Sequence, residues 1–228
     1  EIIGGHEAKP HSHPYMAHLG NCGGFLVRED IVLTAAHCCK SLCNSTNVTL
    51  GAHNIKQKEK TQQTIRVKNP IFHPGYISSS HWNDIMLLQL EKKAKLNDAV
   101  STISLPSMTD QVKPGMVCTV AGWGRLDVYT KGDGKLHEAE LEIQANNKCT
   151  SRYPHYNSTI QMCVGDPKKI QTSYKGDSGG PLICNNKAQG IVSYGSTCAN
   201  PPRVYTRISN FLPWIESTMR CLKLLRPD

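Results

Sequence analysis

Along the chain, apolar and polar positions fall into short β-type runs, each closed by Gly, Pro, Asn or Asp. The clearest are Gly24-Phe25-Leu26-Val27, Asp30-Ile31-Val32-Leu33-Thr34, Asn47-Val48-Thr49-Leu50 and Ile85-Met86-Leu87-Leu88-Gln89-Leu90. The second half adds Val117-Cys118-Thr119-Val120-Ala121-Gly122, Glu140-Leu141-Glu142-Ile143, Gly190-Ile191-Val192-Ser193 and Val204-Tyr205-Thr206-Arg207-Ile208. Strands this short and this evenly punctuated predict an all-β sandwich or barrel rather than a βαβ order. Helical spacing appears only at the end, where Phe211, Leu212, Ile215 and Met219 recur on one face. Ser209 or Asn210 is expected to cap that helix, with Pro213 in its first turn. No repeat, linker or low-complexity stretch interrupts the pattern, and the pattern alone does not group the two halves into barrels.

At 228 residues the chain suits one large all-β domain or two small ones, and a hydrophobic content of 39% is ordinary for a folded protein. No apolar run approaches the ~20 residues of a membrane span. The start at Glu1-Ile2-Ile3-Gly4-Gly5 carries no signal peptide and reads as a processed product. Ten cysteines without a C-x-x-C pair point to an oxidising compartment and away from zinc or dithiol chemistry. Three glycosylation acceptors, Asn44, Asn47 and Asn157, fit the same secretory reading. The formal charge of +8 comes without any nucleic-acid-binding motif, so nucleic acid is not an expected partner. Anionic glycans of a storage granule suit it better, through Lys56, Lys58, Lys60, Lys92, Lys93, Lys95, Lys168 and Lys169, although a lysine cluster taken singly is an ordinary solvated surface. His6, His11 and His13 lack acidic or cysteine partners nearby in sequence, so no metal and no cofactor is expected.

Three elements carry chemistry. Thr34-Ala35-Ala36-His37-Cys38 follows a predicted strand, Asn83-Asp84-Ile85-Met86-Leu87 opens another, and Gly176-Asp177-Ser178-Gly179-Gly180-Pro181 sets a serine in a glycine-rich turn. Each alone is commonplace. In the order His, Asp, Ser and widely separated, they match the order of the chymotrypsin-type proteases. With Ile2-Ile3-Gly4-Gly5, Cys22-Gly23-Gly24-Phe25-Leu26-Val27, Leu50-Gly51-Ala52-His53-Asn54-Ile55, Ala121-Gly122-Trp123-Gly124, Cys163-Val164-Gly165-Asp166-Pro167 and Gly190-Ile191-Val192-Ser193-Tyr194-Gly195, the chain resembles the chymotrypsin-like serine proteases over nearly its whole length. Within them it is most similar to the granule proteases of lymphocytes and mast cells, the granzyme B, duodenase and mast-cell protease group.

The resemblance implies two six-stranded antiparallel Greek-key barrels, about 2–110 and 111–228, forming one peptidase domain with a C-terminal helix. It implies His37, Asp84 and Ser178 as the catalytic residues of an acyl-enzyme mechanism, with the N–H groups of Gly176 and Ser178 as the oxyanion hole. Ile2 and Asp177 are implied as the activation pair, the Ile2 ammonium of the mature chain meeting the Asp177 carboxylate. Glu1 still precedes Ile2, so the sequence as written is expected to be a proform. Protein substrates and serpin-type inhibitors are the implied partners, in a secretory granule or outside the cell.

By the same resemblance the primary pocket is walled by residues 172–175, 193–195 and about 201–205. Its floor residue Thr172 offers no charge to Lys or Arg, and Ser173 and Lys175 lie beside it. Ser193, Tyr194 and Gly195 supply the edge on which an extended substrate pairs. Arg203 falls where granzyme B places the arginine that reads substrate aspartate, which implies cleavage after Asp, and after Glu more weakly. The competing reading turns Arg203 outward and leaves chymotryptic or undefined specificity. A reading of another class, a non-catalytic glycan- or membrane-binding antimicrobial relative, requires lost triad residues, and none is lost here.

Family pairing implies the disulfides Cys22–Cys38, Cys118–Cys184 and Cys149–Cys163. Cys39, Cys43, Cys198 and Cys221 are left with several open pairings, Cys39–Cys43, Cys198–Cys221 or an intermolecular bond among them. Leu19-Gly20-Asn21-Cys22 is much shorter than the hairpin loop of relatives and is expected to open the primed side of the cleft. The cysteine-rich segment 38–43 is unusual beside a catalytic histidine.

Overall fold

The computed structural model describes residues 2–39 and 43–225. The proform expectation falls on Glu1 and lies outside the described residues, as do positions 40–42 of the cysteine-rich segment and the side chain of Asn44.

Thirteen strands occur among the described residues. After the two-residue β1 (His6–Glu7) come β2 (Met16–His18), β3 (Gly23–Arg28), β4 (Ile31–Thr34), β5 (Asn47–Leu50), β6 (Gln63–Phe72) and β7 (Met86–Leu90). These six close into an antiparallel barrel in the order β2-β3-β4-β7-β6-β5. β4 and β7 are buried along their whole length, in keeping with their continuous apolar runs. β6 instead alternates, Ile65 and Val67 facing inward while Arg66 and Lys68 face solvent.

The second half holds β8 (Val117–Gly122), β9 (His137–Glu142), β10 (Gln161–Val164), β11 (Pro181–Cys184), β12 (Lys187–Tyr194) and β13 (Arg203–Arg207). Their order is β9-β8-β11-β12-β13-β10, with β1 added on the outer edge of β9. One antiparallel bridge, Ile143 to Val164, joins the end of β9 to β10, and the Gly165 N–H donates to the Glu142 carbonyl at 2.8 Å. The two ends of this sheet therefore meet through a single residue pair.

A short α1 (Asn146–Thr150) and the terminal α2 (Leu212–Leu224) complete the chain. The predicted helix is present, but its cap differs. Ser209 and Asn210 belong to a 3-10 turn, Ile208–Phe211, so the helix starts after Phe211 without a side-chain cap. Leu212, Ile215 and Leu222 bury against a core shared with Phe25, Leu33 and Leu87 of the first barrel. Arg28 donates to the Met219 carbonyl at 2.7 Å, so the last helix is fastened to the half of the chain it does not follow in sequence. Ala121, Trp123, Ala188 and Ile191 of the second sheet enter the same core, which forms the seam of the molecule.

Four disulfides are present: Cys22–Cys38, Cys39–Cys43, Cys118–Cys184 and Cys149–Cys163. The first closes a loop of 16 residues, a constraint worth about 3 kcal/mol against the unfolded chain, and ties β3 to the segment bearing His37. Cys198 and Cys221 are free, exposed thiols, so of the open pairings Cys198–Cys221 is not formed.

Candidate active site

The site is assembled at the seam from three chain turns. β4 ends at Thr34, and His37 lies in the 3-10 turn Ala36–Cys38 that follows. Three residues before β7, Asn83 adopts a left-handed backbone (φ 56°), which asparagine tolerates, and anchors it by donating to the Gly75 carbonyl at 2.8 Å. That turn delivers Asp84 to full burial against His37. The Asp84 Oδ2 accepts from the His37 Nδ1 at 2.7 Å, and Oδ1 accepts from the His37 backbone N–H at 2.9 Å. One carboxylate thus fixes both the ring and the main chain of the histidine.

Ser178 reaches the same place from the second sheet. Its carbonyl accepts from the Gly23 N–H at 2.8 Å, and the Gly179 N–H donates to Val192 at 2.9 Å, which pins the turn between the two halves. A Cβ at Gly179 would collide with the Gly23 carbonyl and the Thr34 hydroxyl, so only glycine lets the serine turn lie against the end of β4. The Cys38 sulfur, one residue beyond His37, lies 3.7 Å from the Ser178 carbonyl oxygen. The two residues are neighbours through the backbone, and no hydrogen bond joins the Ser178 hydroxyl to the imidazole among the described residues. Such bonds are often long in unliganded enzymes and tighten with substrate.

Two further hydroxyls that the sequence did not flag in this role hold the acid. Ser193 sits at a β-bulge between Val192 and Tyr194, and its Oγ donates to Asp84 Oδ2 at 2.6 Å, while Thr206 Oγ1 donates to the Asp84 carbonyl at 3.0 Å. Ser193 was expected only as a substrate-pairing edge. Burial alone would raise the Asp84 carboxyl, but the hydrogen bonds from His37 and Ser193 and the nearby imidazole outweigh it and leave it below the ordinary value. Asp84 is therefore an anion that keeps a proton on His37 Nδ1 and leaves Nε2 as the basic nitrogen.

Beside the serine, Asp177 is buried and accepts from the Gly124 N–H at 3.0 Å and the Tyr174 N–H at 2.9 Å. Burial pushes its carboxyl up to about 7. Ile2, its expected activation partner, is also buried, and Ile3 pairs with Thr172 in a short antiparallel bridge. The N–H groups of Gly176 and Ser178 donate to no protein acceptor among the described residues. Gly176 has a φ of 98°, and a Cβ there would lie 2.6 Å from the Gly124 Cα. Gly176→Ala is expected to lower Tm in a thermal melt, because it forces a side chain into a positive-φ turn pressed against Gly124.

Of the residues expected to wall the primary pocket, Thr172, Ser173 and Tyr174 are all buried. Thr172 spends its hydroxyl on the Ser173 carbonyl, Tyr205 donates to Ser173 Oγ at 2.7 Å, and Tyr174 donates to the Thr197 carbonyl at 2.6 Å. Arg203, at the start of β13, points inward with 8% of its surface exposed. Its guanidinium lies under Gly195, where a Cβ would fall 2.6 Å from Cζ, and 5.6 Å from the Tyr174 ring centre. Nη1 donates to the Ser196 carbonyl at 2.9 Å, and the buried Nε–H has no acceptor among the described residues. Burial lowers Arg203 below the ordinary guanidinium value, which still leaves it a cation at neutral pH. Lys175 is exposed at the mouth, its ammonium 5.9 Å from the Tyr174 ring. One group of metal-ligating types occurs among the described residues, Cys22, His37 and Cys38, but both sulfurs are spent in a disulfide and offer no thiolate.

The geometry agrees with what the chain is similar to. Residues 2–215 match the family model described as Trypsin. Duodenase-1 of Bos taurus is 58% identical over 231 residues, covering 98% of this chain and 91% of that protein. Granzyme B of Homo sapiens is 57% identical over 229 residues, covering 96% and 92%. Cathepsin G of Homo sapiens is 51% identical over 233 residues, covering 99% and 90%. The solved structure of GrC superposes with a TM-score of 0.91 at 48% identity, covering 96% of this chain and all of that one.

Proposed function

Since the chain belongs to the trypsin family and is a serine endopeptidase, we propose that it acts through His37, Asp84 and Ser178 and cleaves proteins after acidic residues, Asp before Glu. A serine hydroxyl is a poor nucleophile at neutral pH without a base. His37 Nε2 takes the Ser178 proton as Oγ attacks the scissile carbonyl, then gives it to the leaving amine, and water repeats the cycle to release the acid. Asp84 holds Nδ1–H throughout and stabilises the imidazolium. The N–H groups of Gly176 and Ser178 bind the oxyanion. Both sheets, about 2–110 and 111–228, act as one peptidase domain around this seam.

The acidic preference rests on one observation: the Arg203 guanidinium is buried beneath Gly195, with an Nε–H that has no acceptor among the described residues. Such a donor costs about 1–3 kcal/mol unless something accepts from it. We propose that a substrate carboxylate does so once the guanidinium turns toward the cleft, its Nε–Nη2 edge matching the carboxylate in a two-bond pair. Its position under Gly195 also shortens the pocket, which favours Asp over the longer Glu. A peptide library with the residue before the cut varied tests the reading, with cleavage after Asp as the expected result and cleavage after Phe or Leu as the result against it.

The granule or secreted setting follows the granzyme and mast cell protease relatives. The lysines of all three clusters are exposed, which supports an anionic glycan as storage partner, and serpin-type inhibitors are proposed from the family. In proteases of this family the buried acid before the nucleophile takes the ammonium of the mature chain, and here Ile2 and Asp177 are each 1% exposed. A chain made to begin at Ile2 is expected to exceed one that carries a residue before Ile2 in kcat/KM on the order of 10²-fold, the effect of one oxyanion donor, measured on one peptide substrate.

A further inference from the structure

The turn that delivers Asp84 hangs on an imidazole outside the triad. The loop between β6 and β7 runs from His73 to Ile85, and its two ends meet: the His73 N–H donates to the Ile85 carbonyl at 3.1 Å. Inside the loop, Gly75 spends its N–H on His73 Nδ1 at 3.0 Å and its carbonyl on the Asn83 side chain at 2.8 Å. A Cβ at Gly75 would fall 2.9 Å from Asn83 Nδ2 and 3.3 Å from His73 Nδ1, so the turn is clamped between these two side chains. Asn83 is the residue before Asp84, and its left-handed backbone sets the direction in which the acid leaves the loop. The half-buried imidazole is itself packed edge-on against Phe211 (5.2 Å, 81°) and Trp214 (4.9 Å, 65°).

A backbone N–H only donates, so His73 Nδ1 has to accept, and the ring proton of the neutral imidazole sits on Nε2. The arrangement copies the turn in which a side-chain oxygen accepts from the N–H two residues on, as Asn54 does for Lys56 and Asn97 for Ala99 in this chain. Those carboxamides accept at every pH, whereas a protonated imidazole accepts nothing. We propose that His73 is a positioning residue: its neutral imidazole holds the Gly75–Asn83 turn that sets Asp84 against His37, and its protonation loosens that turn and slows the enzyme. The inference rests on the reading of Asp84 as a member of the triad.

The surroundings fix the sign. Phe211, Trp214, Gly75 and Asn83 do not titrate. The Tyr76 phenol, whose backbone N–H donates to the His73 carbonyl, is raised by burial and stays neutral. Burial lowers the His73 imidazole below its ordinary value, so the ring is neutral at neutral pH. The hold on the turn is therefore lost as pH falls through the His73 titration, and it is intact above it.

The experiment measures kcat and KM for the wild-type chain, His73→Asn and His73→Phe at pH 8 and pH 4.5 on one peptide. The Asn Oδ1 takes the place of Nδ1 and accepts at both pH values, while Phe keeps a ring against Phe211 and Trp214 but accepts at neither. Protonation of His37 is common to all three chains and cancels in their ratios. At pH 8 the wild type is expected to match His73→Asn and to exceed His73→Phe about fivefold in kcat with KM unchanged. That factor is ~1 kcal/mol at 1.36 kcal/mol per tenfold, the weight of one neutral hydrogen bond. At pH 4.5 the wild type is expected to fall about fivefold below His73→Asn, toward His73→Phe. A ratio of wild type to His73→Asn that is the same at both pH values overturns the inference, as does full kcat in His73→Phe at pH 8. Should the variants not fold, ¹⁵N NMR of the wild-type imidazole decides: the Nε2–H tautomer is expected at pH 7, and an Nδ1–H tautomer or an imidazolium overturns the inference. Asp84→Asn tests the reading beneath it, with a loss of about 10⁴-fold in kcat expected. Activity retained in Asp84→Asn ends the triad reading and this inference with it, whereas that loss together with a pH-indifferent His73 ratio overturns this inference alone.

Discussion

Ser178→Ala is expected to lower kcat by about 10⁶-fold while leaving KM within a few-fold of the wild type. The magnitude follows from how the residues are coupled. Without the hydroxyl, the imidazole has no nucleophile to activate and no acyl-enzyme forms. His37 and Asp84 remain in their 2.7 Å contact with nothing to act on. The N–H groups of Gly176 and Ser178 survive, since both belong to the backbone, so a residual rate of ~10³–10⁴ over uncatalysed hydrolysis is expected. His37→Ala should cost about as much, and the double variant little more than either alone, because the two work as one unit. The fold should not respond: the turn is held by the Ser178 carbonyl and the N–H groups of Gly179 and Gly180, none of which the substitution removes. Active-site titration with a fluorophosphonate and single-turnover kinetics read both quantities. A variant that retains more than a hundredth of wild-type kcat removes Ser178 from the mechanism.

How far the sequence reveals this arrangement differs by element. The buried strands β4 and β7 are legible because an unbroken apolar run has few other outcomes, and their ends carry His37 and Asp84. β6 is not legible locally: Pro70 and five polar or charged residues mask an alternation that only Ile65 and Val67 mark. β1 and β2 are too short for any periodicity, and the register that brings Gly23 to Ser178 across the seam is tertiary. The terminal helix shows in the spacing of Leu212 and Ile215, while its start does not, because the 3-10 turn over Ile208–Phe211 absorbs the two residues suited to cap it. Within the site, the proposed triad of His37, Asp84 and Ser178 is read from its order and from family resemblance. The hydroxyl of Ser193 on Asp84 is not, since it depends on a bulge that breaks the two-residue alternation at that one position. His73 escapes notice for the same kind of reason. Nothing in Phe72-His73-Pro74 marks it, and only the folded loop sets its Nδ1 on the Gly75 N–H.

Replacing Arg203 tests the pocket as directly as Ser178→Ala tests the chemistry. For a substrate with Asp at the cut, Arg203→Gly removes one partner of a buried charge pair, a loss of about 3–5 kcal/mol. At 1.36 kcal/mol per tenfold, that is a fall of roughly 10²- to 10⁴-fold in kcat/KM. For a substrate with Leu or Phe there, the same change removes a cation from the path of an apolar side chain and enlarges the space under Gly195, so kcat/KM should rise. The two effects multiply in the ratio, which makes the inversion of preference larger than either change alone. Arg203→Lys separates charge from shape. A lysine keeps the cation but not the Nε–Nη2 edge, and its ammonium does not reproduce the Nη1 bond to Ser196 in the same plane, so Asp cleavage should recover only in part. The free enzyme is informative too. Arg203 is a buried cation whose Nε–H lacks an acceptor among the described residues, so exchanging it for a neutral side chain of similar length, as in Arg203→Met, should leave thermal stability equal or higher even as Asp cleavage collapses. A pocket arginine kept at a cost to the fold is explained by what it binds. If Asp preference persists in Arg203→Met, the guanidinium is there for the fold alone, and the specificity has to be sought in the exposed ammonium of Lys175 at the mouth.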